Sequence, residues 1–206
     1  VRPANMSLSF LQEMGLIDSL VDDPQEGLAA AINKGISSLP RNIRFVNWLG
    51  DDDLLGPESL ELARAEFKSN RNATLVFGAC RYIDESGKLL WLNKSGAWAV
   101  PLLRFGPDLI PQPGALFSRS AFEDVGGLNP KFSLAFDFDL FIRLSKAGKA
   151  VYVPTTLASF RWHSDSLSVR TRWASVKEAS EVRKSHLPSG IRPIAGIWEI
   201  LVMVAT

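Results

Sequence analysis

Apolar and polar positions follow two rhythms along this chain, one of helical period and one of alternation or short unbroken runs. Ser7 precedes Leu8, Phe10, Leu11 and Met14, with Gly15 behind them: the cap, spacing and stop of a short helix. Residues 16–21 predict a short strand, and Asp22-Asp23-Pro24-Gln25-Glu26-Gly27 a loop. Residues 28–35 predict a helix ending at Gly35. The apolar run 43–49 has the length and flanks of a buried strand. Pro57 then opens a helix at its first turn, continued by Leu60, Leu62, Ala63, Ala65, Glu66 and Phe67.

Residues 74–82 and 88–92 predict a hairpin around Asp84-Glu85-Ser86-Gly87. From Asn93 to Pro113 the pattern loosens, as in a binding loop or lid. Ala115-Leu116-Phe117 predicts a strand, and Ser120 the cap of a short helix that stops at Gly126-Gly127. Residues 137–146 predict a helix closed by Gly148, and 150–154 and 157–162 two more strands. Residues 171–186 place Trp173, Val176, Ala179 and Val182 on one side of an amphipathic helix with a solvated charged face. The order is α/β in front and mixed α+β behind, which implies a central sheet covered by helices.

Composition narrows this to one domain. The chain has 206 residues, 46% of them hydrophobic, with a net charge of +1, so nothing in its charge suggests a nucleic-acid partner. The single cysteine, Cys80, excludes a disulfide framework and a cysteine-based zinc site, and fits a reducing, cytoplasmic setting. No long apolar core follows Val1-Arg2-Pro3-Ala4-Asn5, so no signal peptide is expected. The tail 194–205 is apolar apart from Glu199 but shorter than the roughly 20 residues of a spanning helix. It reads as a core-packing or interfacial helix, with a membrane segment cut short as the alternative.

Two acidic clusters carry the candidate chemistry. Asp51-Asp52-Asp53 follows the 43–49 run, and acids released from a buried strand stand at the edge where open α/β sheets bind ligands. Adjacent carboxylates repel unless a cation or a set of donors lies between them, so the triplet reads as a divalent-metal site facing a phosphate. A solvated turn in which Asp52 or Asp53 caps the next helix fits the same residues. The second cluster is Phe136-Asp137-Phe138-Asp139-Leu140-Phe141-Ile142-Arg143-Leu144. Asp139 and Arg143, four apart, can pair on one helix face. Asp137 reads either as an N-cap or as a general base whose pKa is raised by Phe136 and Phe138.

Taken in order, these pieces resemble the family 2 glycosyltransferases of GT-A fold. The likeness rests on Asp23-Pro24-Gln25-Glu26-Gly27, Ala31-Ile32-Asn33-Lys34-Gly35 and the strand ending in Asp51-Asp52-Asp53. It continues through Gln112-Pro113-Gly114-Ala115-Leu116-Phe117-Ser118-Arg119, the Asp137 cluster, and Arg161-Trp162-His163-Ser164-Asp165-Ser166-Leu167-Ser168. The resemblance implies an α/β, GT-A-like (Rossmann-like) central mixed sheet flanked by helices, with a partial transferase domain over 1–170 and a helical extension with an apolar tail over 171–206. It implies a nucleotide-sugar donor (UDP-, GDP- or dTDP-sugar), a saccharide or lipid-linked acceptor, and Mg²⁺ or Mn²⁺ as cofactor. Asp53 and His163 would serve the metal. Asn33, Lys34, Gly35, Asp51, Asp52, Gln112 and Gly114 would serve the nucleotide-sugar. Asp137 would take the proton from the acceptor hydroxyl in a single inverting displacement.

The departures from that pattern are Gln25 and Ala30, where the family usually has acids, and the missing counterparts of its first strand, helix and second strand. The expected fold is therefore N-terminally incomplete, with an exposed sheet edge covered by a homodimer or a missing segment. A glycoside hydrolase using Asp137 with one of Asp51, Asp52 or Asp53, and a non-catalytic remnant acting as an assembly domain, remain alternatives. His186 reads as a partner for a helix dipole. Trp91, Trp98 and Trp162 read as core residues or as platforms for sugar faces. The basic residues of 171–186, with the tail behind them, fit a solvated face or a peripheral contact at the inner face of a membrane.

Overall fold

The computed structural model describes residues 8–103, 105–163 and 171–190. The expected Ser7 cap, the end of the Arg161 to Ser168 segment and the apolar tail lie outside them. Its helices are α1 (Leu8–Glu13), α2 (Leu28–Ser38), α3 (Ser59–Ser69), α4 (Ala99–Leu102), α5 (Arg119–Asp124), α6 (Phe136–Ala147) and α7 (Arg172–His186). Its strands are β1 (Phe45–Val46), β2 (Leu54–Leu55), β3 (Ala73–Ile83), β4 (Leu89–Asn93), β5 (Ala115–Ser118) and β6 (Lys149–Arg161).

These strands form one mixed sheet in the order β1-β5-β3-β6-β2, with β4 also paired to β3. β3 and β6 are parallel, whereas β5 is antiparallel to both β3 and β1. β1, β3 and β6 therefore point the same way and release their carboxyl ends at one edge. The alternation of β3 sorts its side chains between two cores. Leu75 and Phe77 join Phe117 and the helices α2, α5, α6 and α7 on one face; Val76 joins Leu116, Val151 and Val153 under Ala63 and Phe67 of α3 on the other. Gly78 is needed where β3 meets β6, since a Cβ there would lie 2.6 Å from the Thr155 carbonyl oxygen.

Several expectations are corrected. The 43–49 run is not a long buried strand: it supplies two paired residues at the sheet edge, with β5 as their strand neighbour, and Trp48 instead stacks on Phe117 at 5.3 Å. Residues 16–21 form no strand; Leu16, Leu20 and Val21 are exposed and give a strand nothing to pack on. The helix over 28–35 continues through Gly35 to Ser38, where Leu39 turns extended. Ser118, not Ser120, caps α5. The strands 150–154 and 157–162 are one strand, β6, which absorbs Pro154 through irregular register against β3 between Gly78 and Cys80. In α7 the apolar stripe is shorter than its spacing suggests: Trp173 is exposed, while Val182, Ser180 and Arg183 are buried.

Candidate active site

The carboxyl edge of β1, β3 and β6 gathers residues that are far apart in sequence. β1 leads into the turn at 50–53, and β6 ends at Arg161 beside Trp162 and His163. β5 runs the other way, so the turn Gln112–Gly114 that precedes it lies at the same edge. α6 passes through the tight Gly148 cap into the amino end of β6, which returns its first turn, with Asp137, to that edge as well. The result is a cleft of about 600 Å³ bordered by Asp51, Asp52, Asp53, Gln112, Asp137 and His163. The two acidic clusters thus face one shared space.

The acid loop is held by its backbone. The Arg161 N–H donates to Asp53 Oδ1 at 3.0 Å, and the Arg161 guanidinium donates to the carbonyls of Asp52, Asp84 and Glu85. His163 Nε2 lies 2.7 Å from Asp52 Oδ2. Gly50 leaves room between the acids: a Cβ at that position would lie 2.9 Å from Asp52 Oδ1 and 3.0 Å from Asp53 Oδ2. Burial lifts the Asp53 carboxyl to about 6, against the bond from the Arg161 N–H and with the Asp52 charge adding.

Asp137 is held by a helix and by what packs on it. Phe136, Phe138, Leu140, Phe141 and Leu144 are buried, which fixes the azimuth of α6 and leaves Asp137 half-buried at the cleft. Asp137 is not the N-cap; Ala135 is, with no side-chain cap of its own. Glu178 of α7 caps this helix end instead, accepting from the N–H groups of Ser133, Leu134 and Ala135. Asp139 accepts from Arg143 Nε at 2.8 Å and lies 2.7 Å from His186 Nε2. Burial pushes the Asp139 carboxyl up, but the bonds from His186 and Arg143 outweigh it and hold it below the usual range. Burial lifts Asp137 to about 6, against backbone N–H bonds from Phe138 and its own residue and with the Glu178 charge adding.

Sequence reasoning missed two acids here. Asp108, in the loose stretch read as a binding loop, borders the cleft and accepts from the Ile110 N–H. Burial and then the Asp137 charge push its carboxyl well above the ordinary value. Glu178 was hidden among charges read as a solvated face, and the helix end it caps had Asp137 as a candidate cap of its own. The expected nucleotide residues divide. Gln112 donates to Asn47 Oδ1 and the Trp48 carbonyl and lines the cleft. Gly114 sits behind it, packed on the backbone of Gly78 and Ala79. Asn33 exchanges two 2.8 Å bonds with the Leu128 backbone, Lys34 reaches the Asp22 carbonyl, and Gly35 lies inside α2; none of the three borders the cleft.

Among the described residues no three ligating side chains converge. His163 is joined to Asp52 and not to Asp53. Two carboxylate oxygens about the Gly50 gap nevertheless fit a hard cation of the Mg²⁺ type, which takes one or two carboxylates and completes its shell with water and phosphate. Among the described residues no helix is long and apolar enough to cross a membrane.

Known proteins resemble this chain in sequence and in fold. The profile of a family described as "Glycosyltransferase like family 2" matches residues 4–180. The chain is 24% identical over 151 residues to a chondroitin synthase and to a hyaluronan synthase of Pasteurella multocida, covering 73% of this chain and 15% of each of those proteins. An Escherichia coli chondroitin synthase is 24% identical over 173 residues, 80% of this chain and 24% of that protein. The chain thus spans a quarter or less of the length of these relatives. Its fold matches a crystal structure of S. aureus TarS in complex with UDP, with a TM-score of 0.52 at 9% identity over 81% of this chain and 48% of that one. With the family match running across most of its length and a fold shared with that neighbour, the chain belongs to the family 2 glycosyltransferases of GT-A fold.

Proposed function

We propose that this chain transfers a sugar from a nucleotide-sugar to an acceptor hydroxyl, on a saccharide or lipid-linked acceptor, by a single inverting displacement that depends on Mg²⁺ or Mn²⁺. The observation that carries the reading is the meeting of the acid loop and Asp137 in one cleft. Asp52 and Asp53, spread about the Gly50 gap, would hold the cation on the donor diphosphate. When bound, the cation supplies positive charge to the departing diphosphate, so no protonating acid is needed at that end. Arg161 keeps the loop in place through its backbone, and His163 orients Asp52. Asp137 accepts the proton of the attacking hydroxyl; a carboxyl lifted to about 6 is mostly ionised at neutral pH and more basic than an ordinary one.

The polysaccharide synthases among the relatives support a glycan acceptor, and the UDP held by the structural neighbour supports a uridine donor. Calorimetric titration of UDP and of GDP, with and without Mn²⁺, tests the reading. Binding that requires Mn²⁺ and disappears in Asp53→Ala is the expected result. Absence of heat under every condition favours the other reading, a non-catalytic assembly domain. One observation speaks for that reading: β1 lies at the sheet edge, with exposed Ile43 and Leu49 on either side, a surface suited to a second copy.

A further inference from the structure

Beyond the acids, one wall of the cleft is aromatic, and the sheet register explains how. Tyr82 of β3 pairs with Trp91 of β4 on one side and Phe160 of β6 on the other. Cross-strand partners share a sheet face, so the three rings form a row, with Tyr82 and Trp91 stacked at 4.4 Å and Phe160 tilted against Tyr82 at 5.3 Å. Trp162 follows Phe160 by two residues and so falls on the same face; its N–H donates to the Ile83 carbonyl at 2.8 Å, extending the ladder. Its ring meets Trp91 edge-on at 5.2 Å. The row borders the same cleft as Asp137 through Tyr82, Phe160 and Trp162.

Its outer members are not core. Trp91 is 43% exposed and Trp162 37%, although burying either would be strongly favourable. Trp98 and Trp173 are more exposed still, but neither stacks on another ring among the described residues. An ordered aromatic surface that opens into a carboxylate-lined cleft matches the two faces of a pyranose. The axial C–H groups of the sugar carry partial positive charge that suits the negative face of an indole, while its hydroxyls need polar partners. Asn93, two residues from Trp91 on the same strand face, and Asp108 border the cleft beside the rings and supply them.

We infer that Trp91 and Trp162 form the platform on which pyranose rings of a saccharide acceptor stack, leading the acceptor's terminal hydroxyl towards Asp137. This rests on the transfer reading for its direction, but binding of the saccharide is measurable without transfer. The competing occupant of such a surface is the base of the nucleotide, which the same variants distinguish.

The experiment uses the full chain and variants Trp91→Ala, Trp162→Ala and Trp162→Phe, each checked for cooperative unfolding at the wild-type midpoint. A chondroitin hexasaccharide and cellohexaose are titrated by tryptophan fluorescence and by saturation-transfer NMR, and UDP with Mn²⁺ by calorimetry. The expected result is a saccharide Kd raised about tenfold or more in both alanine variants and largely restored in Trp162→Phe, with the UDP affinity changed less than about twofold. Equal saccharide affinity in wild type and variants overturns the platform, as does failure of both saccharides to bind the wild type. A loss confined to UDP affinity assigns the surface to the base and also overturns it. Saccharide binding that depends on the tryptophans, without any UDP binding, upholds the platform and instead removes the transfer reading.

Discussion

In both the acid loop and the first turn of α6, one acid is tied to a basic side chain while another faces backbone N–H groups. Asp52 is joined to His163, and Asp139 to Arg143 and His186. Asp53 and Asp137 are the two lifted to about 6 by burial. The regions differ in what holds them. Asp137 stands on a buried helix clamped by α7, with Glu178 at its start and His186 one turn further along. The loop acids ride on a turn secured by Arg161 and by one bond from the Asp53 N–H to the Gly50 carbonyl. A proton acceptor must be fixed to within fractions of an ångström, whereas the loop acids would act through a cation whose shell water and phosphate complete.

The largest expected effect breaks that division directly. Asp137→Asn keeps the shape of the side chain and removes its basicity, so turnover should fall by about 10²- to 10⁴-fold, the usual worth of a general base. The affinity for UDP with Mn²⁺ should stay within about twofold. A variant that instead loses nucleotide affinity would place Asp137 with the cation-binding acids, and the two regions would no longer have separate tasks.

Next in size is the cost of removing the tied acid from each region. Asp139 is buried, and Asp139→Ala leaves Arg143 without its carboxylate; urea unfolding should show a loss of about 3–5 kcal/mol. The Asp52 side chain is 38% exposed, so Asp52→Ala should cost less than about 1 kcal/mol. Equal losses would mean that the loop is as much a structural anchor as the helix.

How much of this was legible depended on whether a signal was local. The α6 motif reads clearly because its apolar residues recur at helical spacing about Asp137 and Asp139, and that spacing survives folding. The hairpin of β3 and β4 reads for the same reason. The 43–49 run misled because apolar character fixes neither pairing nor full burial: Ile43 and Leu49 are exposed, Val46 is buried at the sheet edge, and half-buried Trp48 is held by stacking on Phe117 and a tilted contact with Phe136, not by a strand on each side. The partners of Asn33 and Lys34, Leu128 and Asp22, were not legible either, because they are set by tertiary contact. Asp108 and Glu178 carried no local pattern at all. One lies in an irregular loop, and the other matters through a helix end more than forty positions away. The aromatic row belongs to this class too, because it exists only in the register of three strands.

The protonation behaviour sharpens the comparison at a smaller scale. For Asp53 and Asp137 the folded pKa is raised, so between roughly pH 4 and 6 the folded chain holds protons that the unfolded chain has lost. Stability in the absence of cation and nucleotide should therefore fall as pH rises through that window. Asp139 has the opposite sign: its lowered pKa contributes stability above the ordinary carboxylate value, lost as pH falls through the folded one. Urea unfolding across pH should show Asp137→Asn more stable than wild type by about 1–2 kcal/mol at pH 7, the difference vanishing near pH 4. Removing the Asp137 charge also relieves the Asp108 carboxyl, which that charge helps to push up. A constant difference at all pH values would mean that the variant acts through packing.

The smallest effect isolates the loop without touching an acid. Gly50→Ala adds one carbon at the point where Asp52 Oδ1 and Asp53 Oδ2 approach, at 2.9 and 3.0 Å. Both atoms are the ends of side chains, so they can swing aside and the fold should be unchanged within about 0.5 kcal/mol. Their separation must widen, however, and a hard cation tolerates little change in the spacing of its oxygens. The affinity for UDP at a fixed, limiting Mn²⁺ concentration should fall about three- to tenfold and recover as Mn²⁺ is raised. Saccharide binding on the far wall should be untouched. A loss that no excess of Mn²⁺ restores would show that the methyl blocks the nucleotide itself, making the Gly50 gap part of the donor pocket and not a space kept for a cation.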